Sequence, residues 1–207
     1  VGQGFLVPNP DLDPERGVFY ELGAKFNNGR FTAAVNFYQN NLNNLFVLQN
    51  IIFDDTPSVQ WQNIGEATLT GLEWNLRARI GTLSQVFWVG SYIKGDNDVT
   101  GDPLPEIPAL HNLLGIQVRD RNNKFFVQGE VQLVGEQNDI APNEVETPGY
   151  AVLTVNSGLN LHQFIDGFPP TKLLLGVSNI TDEAYRSHVS RGAPGNQNVF
   201  LEPGISL

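Results

Sequence analysis

The chain has 207 residues, with 16% charged, 41% hydrophobic, no Cys and no Met. Its net charge of −10 and pI near 4.6 exclude a phosphate-neutralising nucleic-acid binder, and the absence of Cys excludes thiolate catalysis, disulfides and Cys-bound zinc. No apolar run reaches the roughly 20 residues of a membrane helix, whereas membrane strands need only about 9–11 and tolerate alternating polar residues. A chain that lacks Met and opens at Val1 is expected to be a processed product or a piece of a longer protein.

Taken in chain order, the apolar residues recur with period two rather than with helical spacing. In the first run Val18, Tyr20, Leu22, Ala24 and Phe26 fall on one face, opposite Phe19, Glu21, Gly23 and Lys25. Asn27-Asn28-Gly29 then predicts a tight hairpin turn, because Asn and Gly accept positive φ cheaply. The returning run groups Phe31, Ala33, Val35 and Phe37. Leu72, Trp74, Leu76, Ala78 and Ile80 continue the pattern, followed by Phe125, Val127, Val131 and Leu133 and by runs over 151–161 and 172–181. The run 85–94 is apolar on both faces in part. Eight strands are predicted, near 15–26, 30–42, 59–80, 84–95, 109–119, 124–137, 149–161 and 172–181, with a ninth beginning near Asn198.

The connections alternate in length: short at 27–29, 81–83 and 120–123, long at 43–58, 96–108, 138–148 and 182–197, with 162–171 intermediate. Tight turns at one end and large loops at the other predict an all-β, antiparallel up-and-down meander forming part of a transmembrane barrel. Aromatic residues near strand ends suit the girdles of such a wall. Charge follows the same polarity. Lys25, Arg30, Arg77, Arg79, Arg119, Arg121, Lys124 and Lys172 flank the short turns. Asp54, Asp55, Asp96, Asp98, Asp102, Glu106, Glu136, Asp139, Glu144, Glu146, Asp182 and Glu183 lie in or beside the long loops. Such a rim is either an ordinary solvated surface or a field that concentrates cations and metal-bearing ligands.

Several segments, in order along the chain, resemble the TonB-dependent outer-membrane receptors of Gram-negative bacteria. Asn9-Pro10-Asp11-Leu12-Asp13-Pro14-Glu15 with Tyr20-Glu21-Leu22-Gly23 is similar to that family's NPxLxPE…xELG segment. Asn63-Ile64-Gly65-Glu66-Ala67 with Gly71-Leu72-Glu73 resembles N-x-G-x-A…G-x-E, and Leu104-Pro105-Glu106-Ile107-Pro108 resembles LPxxP. The segment from Ser178 to Ser190, SNITDEAYRSHVS, resembles NLTDxxYxxHxS, and Glu202-Pro203-Gly204 resembles the PGR opening of a last strand. Ile205 stands where the family usually has Arg, and the chain stops at Leu207 before a terminal aromatic residue.

The resemblance implies that residues 1–207 are the C-terminal portion of a receptor barrel, about nine of about 22 strands. The plug domain and the N-terminal barrel strands would then be absent from this chain. It further implies an outer-membrane location, with membrane lipid and lipopolysaccharide as surroundings. TonB would be reached through an N-terminal segment, and the task would be uptake of a ferric siderophore or another scarce metal-bearing solute. Alternatives are a receptor for cobalamin, zinc, copper or a saccharide, or a secreted all-β carbohydrate-binding domain. No enzymatic activity, cofactor or resident metal is expected.

The three histidines are His111, His162 and His188. His188, Asp139 and Glu144 are the candidate contacts with the solute, against a purely structural role in the loops. Asp96-Asn97-Asp98 with Gly101-Asp102 is out of register with a calcium loop, whose later Glu is missing. Asp182, His188 and Ser190 contain triad residue types without a Gly-x-Ser-x-Gly elbow. Gly2-Gln3-Gly4 precedes no helix, so it does not support nucleotide binding.

Overall fold

The computed structural model describes residues 5–63, 65–142, 144–190 and 201–206. The expected ninth strand near Asn198 and the Gly2-Gln3-Gly4 motif begin outside these residues. The strands are β1 (Leu6–Val7), β2 (Arg16–Asn27), β3 (Phe31–Asn43), β4 (Phe46–Phe53), β5 (Thr56–Asn63), β6 (Glu66–Ile80) and β7 (Ser84–Asn97). They continue as β8 (His111–Arg119), β9 (Phe125–Val134), β10 (Tyr150–Asn160) and β11 (Lys172–Val177). Among the described residues the only helical element is a 3₁₀ turn at Leu161–Gln163, so none is long enough to cross a membrane.

Eight strands make one antiparallel sheet in the order β11-β10-β9-β8-β7-β6-β3-β2. The register shows why the alternation was so regular. Val35, Trp74, Gly90 and Asn112 lie in one cross-strand row, and Asn36, Glu73, Ser91 and His111 lie in the row beside it on the opposite face. Further round the sheet Gln117, Gln128, Asn156 and Gly176 continue the polar face, while Leu114, Val131 and Leu153 continue the apolar one. β7 carries Val86, Trp88 and Tyr92 on the apolar face and Phe87, Val89 and Ile93 on the other, which accounts for its two-sided apolar sequence.

No second layer covers this sheet among the described residues. Among the described residues only Ala67, Leu104, Ala141 and Val152 are buried apolar side chains, while Leu22, Leu174 and Leu175 stand more than half exposed. A packed sandwich would hide those faces against a second sheet about 10 Å away. The single meander removes the carbohydrate-binding sandwich as an architecture.

Three expectations are corrected. The segment 59–80 is two strands, β5 and β6, separated around Gly65, whose φ of 93° is accessible to glycine at little cost. The expected long loop 43–58 contains β4 and part of β5, a hairpin reversing at Asp54 and Asp55 with φ of 47° and 59°. Paired positive φ values are what a two-residue hairpin turn requires, and Asp tolerates them. With β1, which pairs parallel to β5, this hairpin makes a separate three-stranded sheet. The last strand is also shorter than expected: β11 ends at Val177, and beyond it Ser178 forms a bridge with Ser206.

Asn27-Asn28-Gly29 turns as expected. The Asn28 side-chain oxygen accepts from the Arg30 and Phe31 backbone N–H groups at 3.1 and 2.7 Å, and Gly29 sits at φ 82°. This turn, those at 81–83 and 120–124, and the segment 161–171 close one end of the sheet. The described residues of 44–63, 98–110, 135–149 and 178–190 lie at the other.

Candidate functional site

The long-loop end is folded by its own polar groups. In the β7–β8 connection Asn97 Oδ1 accepts from Val99 N and Thr100 N, and Leu104 N donates to Gly95 O at 2.8 Å. In the β9–β10 connection Gln137 and Thr147 exchange backbone hydrogen bonds of 2.9 and 3.1 Å, and Gln137 Nε2 reaches Ile107 O at 2.8 Å. These contacts tie neighbouring loops together before any ligand is considered.

Glu144 is the centre of this arrangement. Its Oε1 accepts from Glu106 N at 2.7 Å and its Oε2 from Ala141 N at 3.0 Å, so one carboxylate holds two loops. His188, 44 residues further along the chain, brings in a third. Its Nε2 lies 3.7 Å from Glu144 Oε1, its Nδ1 lies 3.2 Å from Thr147 Oγ1, and its side chain is only 5% exposed. Nε2 is buried, with no hydrogen-bond partner among the described residues. The structure thus brings two of the three predicted site residues together. Asp139, by contrast, is exposed and stands close enough to Lys94 to act on its charge.

The segment after β11 is anchored by Asn179, 2% exposed, whose side chain bonds Glu183 N and O at 2.9 Å and Pro203 O at 3.2 Å. Tyr185 packs on Tyr150 with ring centroids 4.3 Å apart. Burial, with the Glu202 charge as a second cause, raises the Tyr185 phenol above its ordinary value. The folded loop therefore favours the neutral phenol: this contribution is complete below the ordinary tyrosine value and fades as pH rises through the folded one.

The other motifs have local explanations. Asp96 pairs with Lys94 at 2.7 Å, and Asp98 accepts from Thr68 Oγ1 at 2.8 Å, which is loop closure rather than a cation cradle. Ser190 donates to Glu202 and Asp182 accepts from Ile205 N, so neither meets His188 as a triad would require. Among the described residues no three His, Cys, Asp or Glu side chains are grouped to hold a metal. Thr147 and Gln137 had no sequence signal, because their side-chain partners lie 41 and 30 residues away.

Below the loops, the polar face forms a hollow of about 810 Å³ with Glu21, Lys25, Asn36, Glu73, Asn75 and His111 among its lining residues. Carboxylates therefore occupy both the loop rim and the wall beneath it.

Comparison with known proteins places this architecture. The profile of the family described as TonB dependent receptor-like, beta-barrel matches residues 1–180. The ferric enterobactin receptor PirA of Pseudomonas aeruginosa is 30% identical over 98% of the chain, and the ferrienterobactin receptor of Escherichia coli is 30% identical over 70%. The chain spans 28% and 22% of those relatives. Among solved structures, a copper transporter, OprC, superposes over 95% of the chain and 31% of its own, with a TM-score of 0.84 at 19% identity. A mutant of the P. aeruginosa ferric enterobactin receptor in complex with enterobactin does so over 92% and 30%, with a TM-score of 0.70 at 19% identity.

Proposed function

Because the chain belongs to the TonB-dependent receptor β-barrel family, we propose that residues 1–207 are the C-terminal portion of an outer-membrane receptor that imports a ferric siderophore or another metal-bearing solute. The observation that carries this reading is the single meander with one apolar face, its long, carboxylate-rich loops all at one end. The names of the two curated relatives support iron-chelate cargo; the likeness to the copper transporter speaks to fold alone.

On this reading the apolar face meets lipid and lipopolysaccharide, and the polar face lines the lumen. The loops capture solute outside the cell, and a plug moved through TonB opens the path inward. Asp139, exposed, contacts the solute, whereas Glu144 and His188 hold the loops that shape its seat. The acidic rim favours a neutral or cationic metal-bearing solute over a polyanion, most strongly at low ionic strength. Binding and passage account for the arrangement without bond making or breaking, in keeping with relatives named as receptors.

The test is growth of a strain lacking the full-length gene on ferric enterobactin, copper, zinc or cobalamin as the limiting nutrient. A defect confined to one of these metal-bearing nutrients and restored by the gene is expected; undiminished growth on all of them would overturn the reading. In the complemented strain, Asp139→Asn is expected to raise the solute concentration for half-maximal uptake several-fold without altering barrel assembly.

The lipid-facing assignment has its own check. Ile116→Arg places a charge on the apolar face near the middle of β8 and is expected to destabilise the barrel by about 2–4 kcal/mol. Gln117→Arg, the next residue and on the lumen face, is expected to be tolerated. The fraction of receptor migrating as folded barrel on unheated gels reads the difference.

A further inference from the structure

At the short-turn end of the polar face, Arg30, Arg77 and Arg79 line a cavity of about 130 Å³ together with Asn27, Thr32 and Gln85. The register explains the convergence. Asn27 pairs with Thr32, Thr32 with Arg77, and Arg79 with Gln85, which sets these side chains on the face that also carries Glu73. Arg30 joins them from the turn, where its carbonyl accepts from Arg79 N at 2.8 Å. Among the described residues no carboxylate lies within 4 Å of these three guanidinium groups. The Arg77 side chain is directed by Asn75 Oδ1 at 3.1 Å and by the Phe87 ring, 5.8 Å from its guanidinium carbon, neither of which neutralises it.

Arg30, Arg77 and Arg79 are exposed, so water and salt screen much of their mutual repulsion, and an anion seated between them would remove the rest. Guanidinium forks are shaped for the paired oxygens of carboxylate or phosphate, and the flanking amide and hydroxyl groups add neutral hydrogen-bond donors. The volume is ample for one such group, since a water takes about 30 Å³ of liquid. We propose that this pocket is an oxyanion site on the lumen wall, taking a phosphate or carboxylate group. The group has two sources: a free anion, or an Asp or Glu side chain of the polypeptide that fills the lumen in the whole receptor. This goes beyond the transport reading, and the two fail separately, because the growth test concerns the cargo and the following measurement concerns the wall.

The purified full-length receptor in detergent is titrated with inorganic phosphate at constant ionic strength, beside R77Q/R79Q and R77K/R79K. If the anion is free, phosphate binds saturably, at least tenfold more weakly in R77Q/R79Q and to an intermediate degree in the lysine variant, which keeps charge but loses the forks. If a carboxylate of the chain occupies the pocket, phosphate does not bind. R77Q/R79Q then lowers the thermal unfolding midpoint at low salt, by an amount that shrinks in 1 M NaCl as expected of a screened pair. Folded migration on unheated gels confirms that each variant is assembled. Phosphate affinity unchanged by the substitutions, or no phosphate binding together with no salt-dependent difference, would overturn the proposal.

Discussion

Gly90→Val in the full-length receptor is expected to abolish the folded, heat-modifiable barrel, while Gly129→Ala is expected to leave it intact. A Cβ at Gly90 would overlap the Trp74 ring and stand 2.8 Å from the His111 carbonyl oxygen. The ring could swing aside, but the carbonyl belongs to the neighbouring strand and cannot move without opening the ladder. Trp74 is itself fixed edge-on against Trp88, with centroids 5.6 Å apart. Overpacking of this kind costs about 3 kcal/mol, and a β-branched side chain pressed against backbone lies at the upper end. Gly129, on the same face, has no atom within 4 Å of a built Cβ. Similar behaviour of the two variants in gel mobility would show that ring-over-glycine packing does not govern assembly.

The same device recurs around the sheet. Tyr38 lies over Gly71, Phe87 over Gly115 and Phe126 over Gly158, in each case the directly paired residue of the next strand. A ring covering a cross-strand glycine protects backbone that would otherwise be bare and pins the register. Gly115→Val is expected to fail as Gly90→Val does, since its Cβ would also stand 2.9 Å from Gly129 O.

Asn179→Ala is expected to release the segment after β11 while the barrel remains inserted. The substitution removes both bonds to Glu183 and the bond to Pro203 O. It also puts Ala at φ 52°, where Asn is tolerated and Ala is strained. Stranded buried polar groups and backbone strain together cost on the order of 3 kcal/mol. Limited proteolysis of intact cells should cut the variant within 180–190 far faster than the parent, and uptake should fall with it. Asn179→Asp keeps the acceptor but loses the donors, so its sensitivity should lie between them. Equal protease resistance of Asn179→Ala and parent would show that other contacts hold the segment.

The main sheet was legible because most of its strands, β7 apart, have a wet face and an apolar one, so the pairing register is written in alternate residues. Trp74 declared its face from spacing alone, whereas Trp88 lies in a run apolar on both sides and takes its face from pairing with Leu76. The β4–β5 hairpin was not legible. Gln49 and Asn50 interrupt the apolar run, and Asp54-Asp55 is a weaker turn signal than Asn-Gly. Within the site, Glu144 and His188 were named from charge and motif, but their meeting depends on loops whose ends the sheet brings together. Thr147 illustrates the limit: a threonine flanked by Glu146 and Pro148 gives no hint that it will bond a histidine 41 residues away.

The ladders of the main sheet are uneven in length. β6 shares 14 paired residues with β7 and 13 with β3, and β2 shares 12 with β3, whereas β10 shares 10 with β9 and only six with β11. Under a pulling force this sheet would behave as a graded zipper. Load applied along Val177 would peel β11 away first, at low force, and the tear would slow on reaching β6, where the longest ladders resist it on both sides.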